Sequence, residues 1–228
     1  MQLYIGNKNY SSWSMRPWVL MRHFGIAFDE VMVRFDDHMS PASRFRRTML
    51  EVNPAGRVPV LVEDGFAIWD TLAIVERLAE KFSEHALWPP DAKQRARARS
   101  LCAEMHAGFA ALRSHCPMNI EASLPEIGAR VMREQANVAS DLARIVEMWS
   151  GQLDSSGGPF LFGNFCAADA YFAPVCARVR TYALPVPEPV IAYIDRVWRS
   201  PGVAAWVAEA LQEKEFLDFE EPYRKDRV

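Results

Sequence analysis

The sequence predicts an α/β domain followed by an all-helical domain. Strand and helix patterns alternate as far as residue 82, whereas only helical periodicity follows residue 91. Between them, the connector Leu87-Trp88-Pro89-Pro90 is interrupted by prolines, which end regular structure. A chain of 228 residues is long enough for two small domains. We therefore place the first domain at residues 1–84 and the second at residues 91–228.

The first domain has the element order β-α-β-α-β-β-α. Short apolar runs predict strands, and apolar residues at three- and four-residue spacings predict helices. The predicted strands are residues 3–5, 28–34, 58–62 and 66–69, and the predicted helices are residues 15–24, 41–52 and 70–82. Asp64-Gly65, between the last two strands, is the dipeptide favoured in tight hairpins. This order predicts a mixed sheet with helices packed on it.

The second domain contains long amphipathic patterns without strands. Leu101, Met105, Phe109 and Leu112 repeat at helical spacing and predict one helix over residues 91–112. The pattern predicts a second long helix and three shorter ones at residues 125–153, 167–179, 188–199 and 203–214. We therefore expect a helical bundle.

Composition and charge indicate an ordinary globular protein. Half of the residues are hydrophobic, 24% are charged and the net charge is −3. This charge gives no reason to expect nucleic acid or an anionic membrane as a partner. The start of the chain has neither the basic nor the apolar segment of a signal peptide, and no apolar run approaches the roughly 20 residues that span a bilayer. The four cysteines form no CxxC pair, so we expect a soluble, cytoplasmic protein.

Several common kinds of site have no support in the sequence. The five histidines show no HxxxH or other metal-ligand spacing, so no metal site is predicted. There is no GxGxxG, no P-loop and no GxSxG, which leaves nucleotide binding and serine hydrolysis without a motif.

Four separated segments together resemble the cytosolic glutathione S-transferases. Residues 10–17 (YSSWSMRP) resemble the serine-containing loop of zeta- and tau-like members, most closely that of bacterial zeta-class members. Residues 53–61 (NPAGRVPVL) are similar to the stretch whose proline after valine is cis in the family. Residues 69–74 (WDTLAI) and 163–169 (GNFCAAD) resemble two further family motifs. The resemblance extends over residues 3–215 and implies a thioredoxin-like first domain that binds glutathione, with glutathione as co-substrate.

The resemblance implies that Ser11 stabilises the glutathione thiolate. A free thiol has a pKa of about 8.5, and lowering it by two units requires roughly 2.7 kcal/mol. A hydroxyl that donates to an anion contributes about 1.5–3 kcal/mol, and a helix N-terminus adds roughly 0.3–1 kcal/mol. Ser11 precedes the first predicted helix and can supply both, with Ser12 or Ser14 as a second donor. Helix capping alone also explains serines here, and Ser14 is the predicted cap.

The resemblance also implies how the rest of glutathione binds. A cis bond before Pro59 would turn the backbone N–H and C=O of Val58 outward, where an extended peptide can pair with them. Thr71 and the N-terminus of the helix suit the γ-glutamyl carboxylate, while Asp70 suits its ammonium group. Arg57 suits the glycyl carboxylate. Capping is the alternative role for Asp70 and Thr71, and a solvated surface charge is the alternative for Arg57.

A pocket for a second substrate is expected beside the sulfur. In the family fold, the helix over residues 91–112 would pass above it. Trp13, Met105, Phe109, Arg113 and Met118 would then line the pocket, with Arg113 facing an anionic substrate. Met105 and Phe109 have the alternative role of packing the helical bundle.

The cysteines bear on two further expectations. No cysteine precedes Cys102, so thiol-disulfide exchange through the serine-containing loop is not expected. Cys166 stands where the family has a Ser or Thr helix cap, and a thiol is a weaker acceptor.

Three functions follow from the resemblance. The first is transfer of glutathione to hydrophobic electrophiles, as in detoxification. The second is glutathione-dependent cis-trans isomerisation, as in maleylacetoacetate isomerase of the zeta class. The third is a non-catalytic module that binds glutathione. The family also implies a homodimer.

Overall fold

The computed structural model describes residues 1–36, 40 and 42–227. In this part of the chain the strands are β1 (Gln2–Ile5), β2 (Asp29–Met32), β3 (Val60–Glu63) and β4 (Phe66–Ile68). The helices are α1 (Ser12–His23), α2 (Arg44–Val52), α3 (Thr71–Lys81), α4 (Ala92–Ala107), α5 (Ala110–His115), α6 (Pro125–Glu134), α7 (Ala136–Ser156), α8 (Ala167–Tyr182), α9 (Glu188–Arg199) and α10 (Pro201–Glu213). A 3-10 turn at Asp218–Glu220 follows. None of the described helices is long and apolar enough to cross a membrane.

The four strands form one mixed sheet with the order β2-β1-β3-β4. β1 runs parallel to β2 and antiparallel to β3, where Leu3 pairs with Leu61. β3 and β4 form the hairpin predicted at Asp64-Gly65, and both turn residues have positive φ, as such a turn requires. The predicted β-α-β-α-β-β-α order is confirmed.

Helix α1 joins the sheet to the helical bundle. It packs against α3 on one side and against α8 and α10 on the other. Its buried residues include Trp18 and Leu20, and they belong to one hydrophobic core that continues into the bundle. Gly202 at the start of α10 allows α10 to approach α1 closely, because a Cβ there would overlap the carbonyl oxygen of Val19. The two parts of the chain therefore share a core at α1.

Both long predicted helices are interrupted. The helix predicted over residues 91–112 is two helices, α4 and α5, separated at Gly108 and Phe109. Phe109 has a left-handed backbone with φ 57°, which ends the helical path. A Cβ at Gly108 would lie 2.9 Å from the carbonyl oxygen of Glu104, so glycine suits the break. The helix predicted over residues 125–153 is likewise two helices, α6 and α7, separated at Gln135.

Several boundaries in the first domain differ from prediction, and β2, for example, ends at Met32 rather than at residue 34. α1 begins at Ser12, three residues before the predicted start at residue 15. α2 begins at Arg44, because the Ser43 hydroxyl accepts from the backbone N–H of Arg46 and caps it. The predicted start of that helix, Pro41, lies outside the described residues. β3 begins at Val60 rather than at residue 58.

Candidate active site

Two adjoining pockets lie where the sheet domain meets α4 and α5. The serine pocket, of about 550 Å³, is lined by Ser11 and Ser12 among others. The Asp70 pocket, of about 450 Å³, is lined by Asp70 and Thr71 among others. The residues shared by both linings are Trp13, Arg57, Val58 and Arg113. Because they share these walls, the two pockets form one continuous cleft.

Ser11 is the N-cap residue of α1, and its hydroxyl lies against that of Ser14. Ser11 Oγ donates to Ser14 Oγ over 2.7 Å, and Ser14 Oγ also accepts from the backbone N–H of Gly6 at 3.2 Å. Ser14 is fully buried inside the helix, so the prediction that Ser14 is the cap is wrong. The reason is that the polar residues Ser11 and Ser12 already belong to the helix start, ahead of the apolar pattern.

The three serines are not equivalent with respect to the cleft. Ser11 and Ser12 line the serine pocket, whereas Ser14 does not. The first turn of a helix carries backbone N–H groups without intrahelical partners and a partial positive charge. An anion in the serine pocket beside Ser11 would therefore lie near both a hydroxyl donor and the positive end of α1.

Arg16 places a buried positive charge close to this helix start. Its guanidinium lies 4.0 Å from the centroid of the Trp13 ring and 4.8 Å from that of the Tyr171 ring. It donates to the carbonyl oxygens of Ser12 and Tyr171 at 3.2 and 3.0 Å. Burial lowers the pKa of Arg16 to about 9, below its ordinary value. Both hydrogen bonds found in the described residues go to neutral carbonyls, so the charge is left to favour an anion nearby.

At the Asp70 pocket, four side chains form a chain of close polar contacts. Asp70 caps α3 through the N–H of Leu72 at 3.3 Å, and its other oxygen lies 3.2 Å from His106 Nε2. His106 Nδ1 lies 2.8 Å from the Tyr171 hydroxyl, which lies 2.7 Å from the Thr71 hydroxyl. The start of α3 is thereby connected to α4 and α8. Sequence reasoning missed His106 and Tyr171, because neither belongs to a local motif.

The segment before β3 contributes backbone to both pockets. The Val58–Pro59 bond is cis, as the resemblance implied. Since β3 begins at Val60, the backbone of Val58 lies outside the strand ladder and lines the cleft. Arg57 is exposed at the surface of the cleft, and its carbonyl oxygen accepts from the Asn53 amide at 3.0 Å. An extended ligand can therefore reach this backbone.

The residues expected around the second substrate divide into two groups. Trp13, Arg113 and Met118 line the serine pocket. Met105 and Phe109 do not line either of these two pockets, which favours their alternative role of packing the helical bundle. Met105 is fully buried and Phe109 is 7% exposed, and both belong to the hydrophobic core. The break before α5 accounts for Phe109, because it ends the predicted continuous helix there, whereas Met105 is buried on α4 itself.

The serine pocket also contains a buried arginine that sequence reasoning missed, in addition to the expected Arg113. Arg178 on α8 is buried and donates to the carbonyl oxygens of Cys116 and Pro174 at 2.9 and 3.1 Å. Its burial lowers its pKa to about 10. The Arg113 guanidinium lies 5.0 Å from the centroid of the Trp13 ring. These cations favour an acidic or electron-rich ligand.

Comparisons with known families agree with this architecture. A family model described as "Glutathione S-transferase, N-terminal domain" matches residues 10–81. A second, described as "Glutathione S-transferase, C-terminal domain", matches residues 94–209. Together the two matches take in most of the chain, including the cleft.

Individual curated relatives match only part of this chain, at modest sequence identity. The chain is 34% identical over 96 residues to "Glutathione S-transferase 1" of Dianthus caryophyllus, a match over 42% of this chain and 41% of the relative. It is 30% identical over 107 residues to "Probable maleylacetoacetate isomerase" of Caenorhabditis elegans, a match over 47% of each chain. Each match spans less than half the length of the curated relative.

Solved structures show the same fold over nearly the whole chain. A glutathione transferase homologue from Burkholderia with bound glutathione has a TM-score of 0.69 at 24% identity, covering 94% of this chain and 98% of that one. A maleyl pyruvate isomerase, described as a bacterial zeta-class glutathione S-transferase, has a TM-score of 0.68 at 19% identity, covering 92% and 98%. At these identities the likeness establishes the fold alone.

Proposed function

Because the chain belongs to the glutathione S-transferase family, we propose that it binds glutathione and holds the sulfur as a thiolate beside Ser11. The observation that carries this proposal is the position of Ser11, which is the N-cap residue of α1 and lines the serine pocket. The hydroxyl and the helix start together can supply the roughly 2.7 kcal/mol that a two-unit fall in thiol pKa requires. No general base is needed for that stabilisation.

The buried Ser14 hydroxyl positions Ser11 for this role. In the structure, the Ser11 hydroxyl donates to that of Ser14. A hydroxyl can both donate and accept, and its hydrogen rotates freely. When an anionic sulfur lies beside Ser11, Ser14 donates to Ser11 instead, and the Ser11 hydrogen turns to the sulfur. The Gly6 N–H keeps the Ser14 oxygen in place during this exchange.

The rest of glutathione would extend into the Asp70 pocket. Its cysteinyl backbone would pair with the N–H and C=O of Val58, which lie outside the β3 ladder. Its γ-glutamyl carboxylate would lie at the start of α3 near Thr71, and its ammonium group near Asp70. Arg57 is the proposed partner of the glycyl carboxylate. The pocket lining supports this placement, since all four residues line it.

The electrophile would occupy the serine pocket against Trp13 and Met118. The thiolate then attacks an electrophilic carbon, either displacing a leaving group or adding to an activated double bond. Holding both reactants in one cleft supplies proximity, and the donors supply electrostatic stabilisation. Arg113 favours electrophiles that carry a carboxylate or a similar anionic group. The proposed reaction is therefore glutathione transfer, and its proposed biological role is detoxification.

A glutathione-dependent cis-trans isomerase is the second candidate. Four arginines line the serine pocket, which suits a carboxylate-bearing substrate: Arg46, Arg57, Arg113 and Arg178. Glutathione would add, allow rotation about the former double bond, and leave. If maleylacetone supplied with glutathione is not isomerised, this candidate is rejected.

We also propose a cytoplasmic homodimer. All four cysteines are buried and unpaired, as expected where thiols remain reduced. Two aromatic side chains near the β3–β4 hairpin, Phe66 and Trp69, are 71% and 41% exposed and are suited to burial against a second subunit. Sedimentation velocity tests the assembly.

Two measurements together test the proposed function. Conjugation of 1-chloro-2,4-dinitrobenzene is expected to depend on glutathione and enzyme, and calorimetry is expected to show glutathione binding. Binding without turnover of any electrophile would favour the non-catalytic module instead. Failure of both measurements would contradict the proposal.

A further inference from the structure

The segment after α10 contributes an acidic side chain to the serine pocket. Glu220, at the end of the 3-10 turn, lines this pocket together with Ser11 and Arg178. The pocket places a carboxyl group in the same 550 Å³ space as the proposed thiolate site. Neither the motifs nor the proposed function assigns a role to this residue.

The position of this segment is fixed through Tyr10, the residue before Ser11. The Tyr10 hydroxyl donates to a Glu221 carboxylate oxygen at 2.8 Å and lies 3.2 Å from the carbonyl oxygen of Glu215. It also accepts from the N–H of Leu217 at 3.4 Å. The turn that carries Glu220 is therefore tied directly to the loop that carries Ser11.

Glu220 and its neighbour Glu221 differ in their hydrogen-bond partners. Glu221 also accepts from the Asn119 amide at 2.8 Å and from Arg224 Nε at 2.9 Å. The Glu220 carboxyl has neither a hydrogen bond nor an ion pair in the part of the chain that the structure describes. Glu221 is committed to anchoring the segment, whereas Glu220 is left available to a ligand in the pocket.

We propose that Glu220 is a general acid for the addition of glutathione to an activated double bond. In this step the thiolate sulfur forms a bond to the β-carbon of an α,β-unsaturated carbonyl compound, and the π electrons move towards the carbonyl oxygen. The O–H bond of Glu220 then breaks, its proton forms the C–H bond at the α-carbon, and Glu220 is left as a carboxylate. Solvent water returns the proton for the next turnover.

The environment of Glu220 suits this role. The pKa of Glu220 is raised to about 7, chiefly because the carboxyl group is buried. The charge of Arg178 opposes this rise and the charge of Glu221 adds to it. A group that titrates near neutral pH can both give and regain a proton under ordinary conditions. The other titratable or charged groups that line the pocket are Tyr10, Arg46, Arg57, Arg113 and Arg178. The segment itself is faced by Arg224 and carries Glu215 and Glu221.

This role rests on the proposed glutathione transfer, but it applies only to addition reactions and not to displacement reactions. Addition leaves a carbanion equivalent that must be protonated. Displacement of chloride from an aromatic ring leaves chloride, which needs no proton. A loss of Glu220 should therefore affect the first reaction more than the second.

The experiment compares two substrates in two variants. Kinetics with trans-4-phenyl-3-buten-2-one report addition, and kinetics with 1-chloro-2,4-dinitrobenzene report substitution. Glu220→Gln keeps the shape of the side chain, and Asp218→Asn changes an exposed carboxylate on the same turn as the control. In Glu220→Gln we expect kcat/KM for addition to fall about 100-fold, at least tenfold more than for substitution. In the wild-type protein, the addition rate should fall above a pH of about 7, where Glu220 loses its proton, and this fall should be absent in Glu220→Gln.

Thermal unfolding of both variants shows whether the fold is kept. Equal losses for the two reactions, or no loss for addition, would overturn the role of Glu220 while leaving the proposed function intact. If the wild-type protein converts neither substrate and does not bind glutathione, the proposed function fails and the role of Glu220 fails with it.

Discussion

Ser11 and Ser14 form a pair of hydroxyls 2.7 Å apart at the start of α1. The inner hydroxyl also accepts a backbone N–H, that of Gly6, at 3.2 Å. The outer hydroxyl lines the serine pocket. One serine thus belongs to the folded core and the other to the cleft, although both come from the same short motif.

Replacing Ser14 by alanine should reduce stability. The change leaves the buried Gly6 N–H and the Ser11 hydroxyl without their partner, which typically costs about 1–3 kcal/mol. Urea denaturation measures the difference. Ser12→Ala is the matched control, and because Ser12 is only half-buried we expect a change within about 0.5 kcal/mol. Equal stability of the two variants would contradict a structural role for Ser14.

Replacing Tyr171 by phenylalanine should weaken glutathione binding and reduce stability. Its hydroxyl joins Thr71 to His106, and His106 in turn contacts Asp70. Without it, we expect a loss of about 1–3 kcal/mol in unfolding free energy and a higher Kd for glutathione by calorimetry. Tyr182→Phe is the control, since it also removes one hydroxyl from α8 but one that bonds to the Pro117 carbonyl. An unchanged Kd in Tyr171→Phe would show that the contacts of the Tyr171 hydroxyl do not contribute to glutathione binding.

Replacing Arg113 by glutamine should change substrate preference. Arg113 lines both pockets, so its charge acts on any anion in the cleft. We expect kcat/KM to fall about tenfold for carboxylate-bearing electrophiles, corresponding to about 1.4 kcal/mol, and to fall less for uncharged ones. Arg97→Gln, at an exposed position on α4, is the control. Equal losses for charged and uncharged electrophiles would show that Arg113 does not select by charge.

Replacing Gly202 by alanine should disrupt the packing of α10 on α1. The new Cβ would overlap the carbonyl oxygen of Val19 and lie 3.1 Å from the backbone nitrogen of His23. Backbone atoms cannot move aside easily, so we expect a loss of more than about 3 kcal/mol by urea denaturation. Gly151→Ala lies inside α7 with nothing near the added Cβ and should gain about 0.5–1 kcal/mol. Similar effects of the two changes would contradict the close contact.

Local chemistry made part of the site predictable from the sequence. Asp64-Gly65 forms the predicted hairpin because both residues tolerate positive φ. Asp70 ends an apolar strand pattern and begins a helical one, and it caps α3 as a short acidic side chain should. The cis bond at Val58–Pro59 was predictable only through the family resemblance, since sequence alone favours trans.

The rest of the site depends on contacts between distant residues. The Tyr171 hydroxyl meets Thr71 and His106 across 100 and 65 residues of sequence. No periodic pattern encodes such a pairing, because the packing of α8 against α1 and α4 creates it. The left-handed backbone at Phe109 could not be predicted either, because Phe109 continues the apolar spacing of α4 and so indicates an unbroken helix. Glu220 follows the last predicted helix in a segment without periodicity.

The most direct test is the acidity of bound glutathione, measured as thiolate absorbance against pH in the wild-type protein and in Ser11→Ala. Loss of one hydroxyl donor to an anion is worth about 1.5–3 kcal/mol, so we predict that the thiol pKa rises by about 1–2 units in the variant. A thiol pKa that stays at the wild-type value in Ser11→Ala, with glutathione still bound, would contradict the assignment of Ser11.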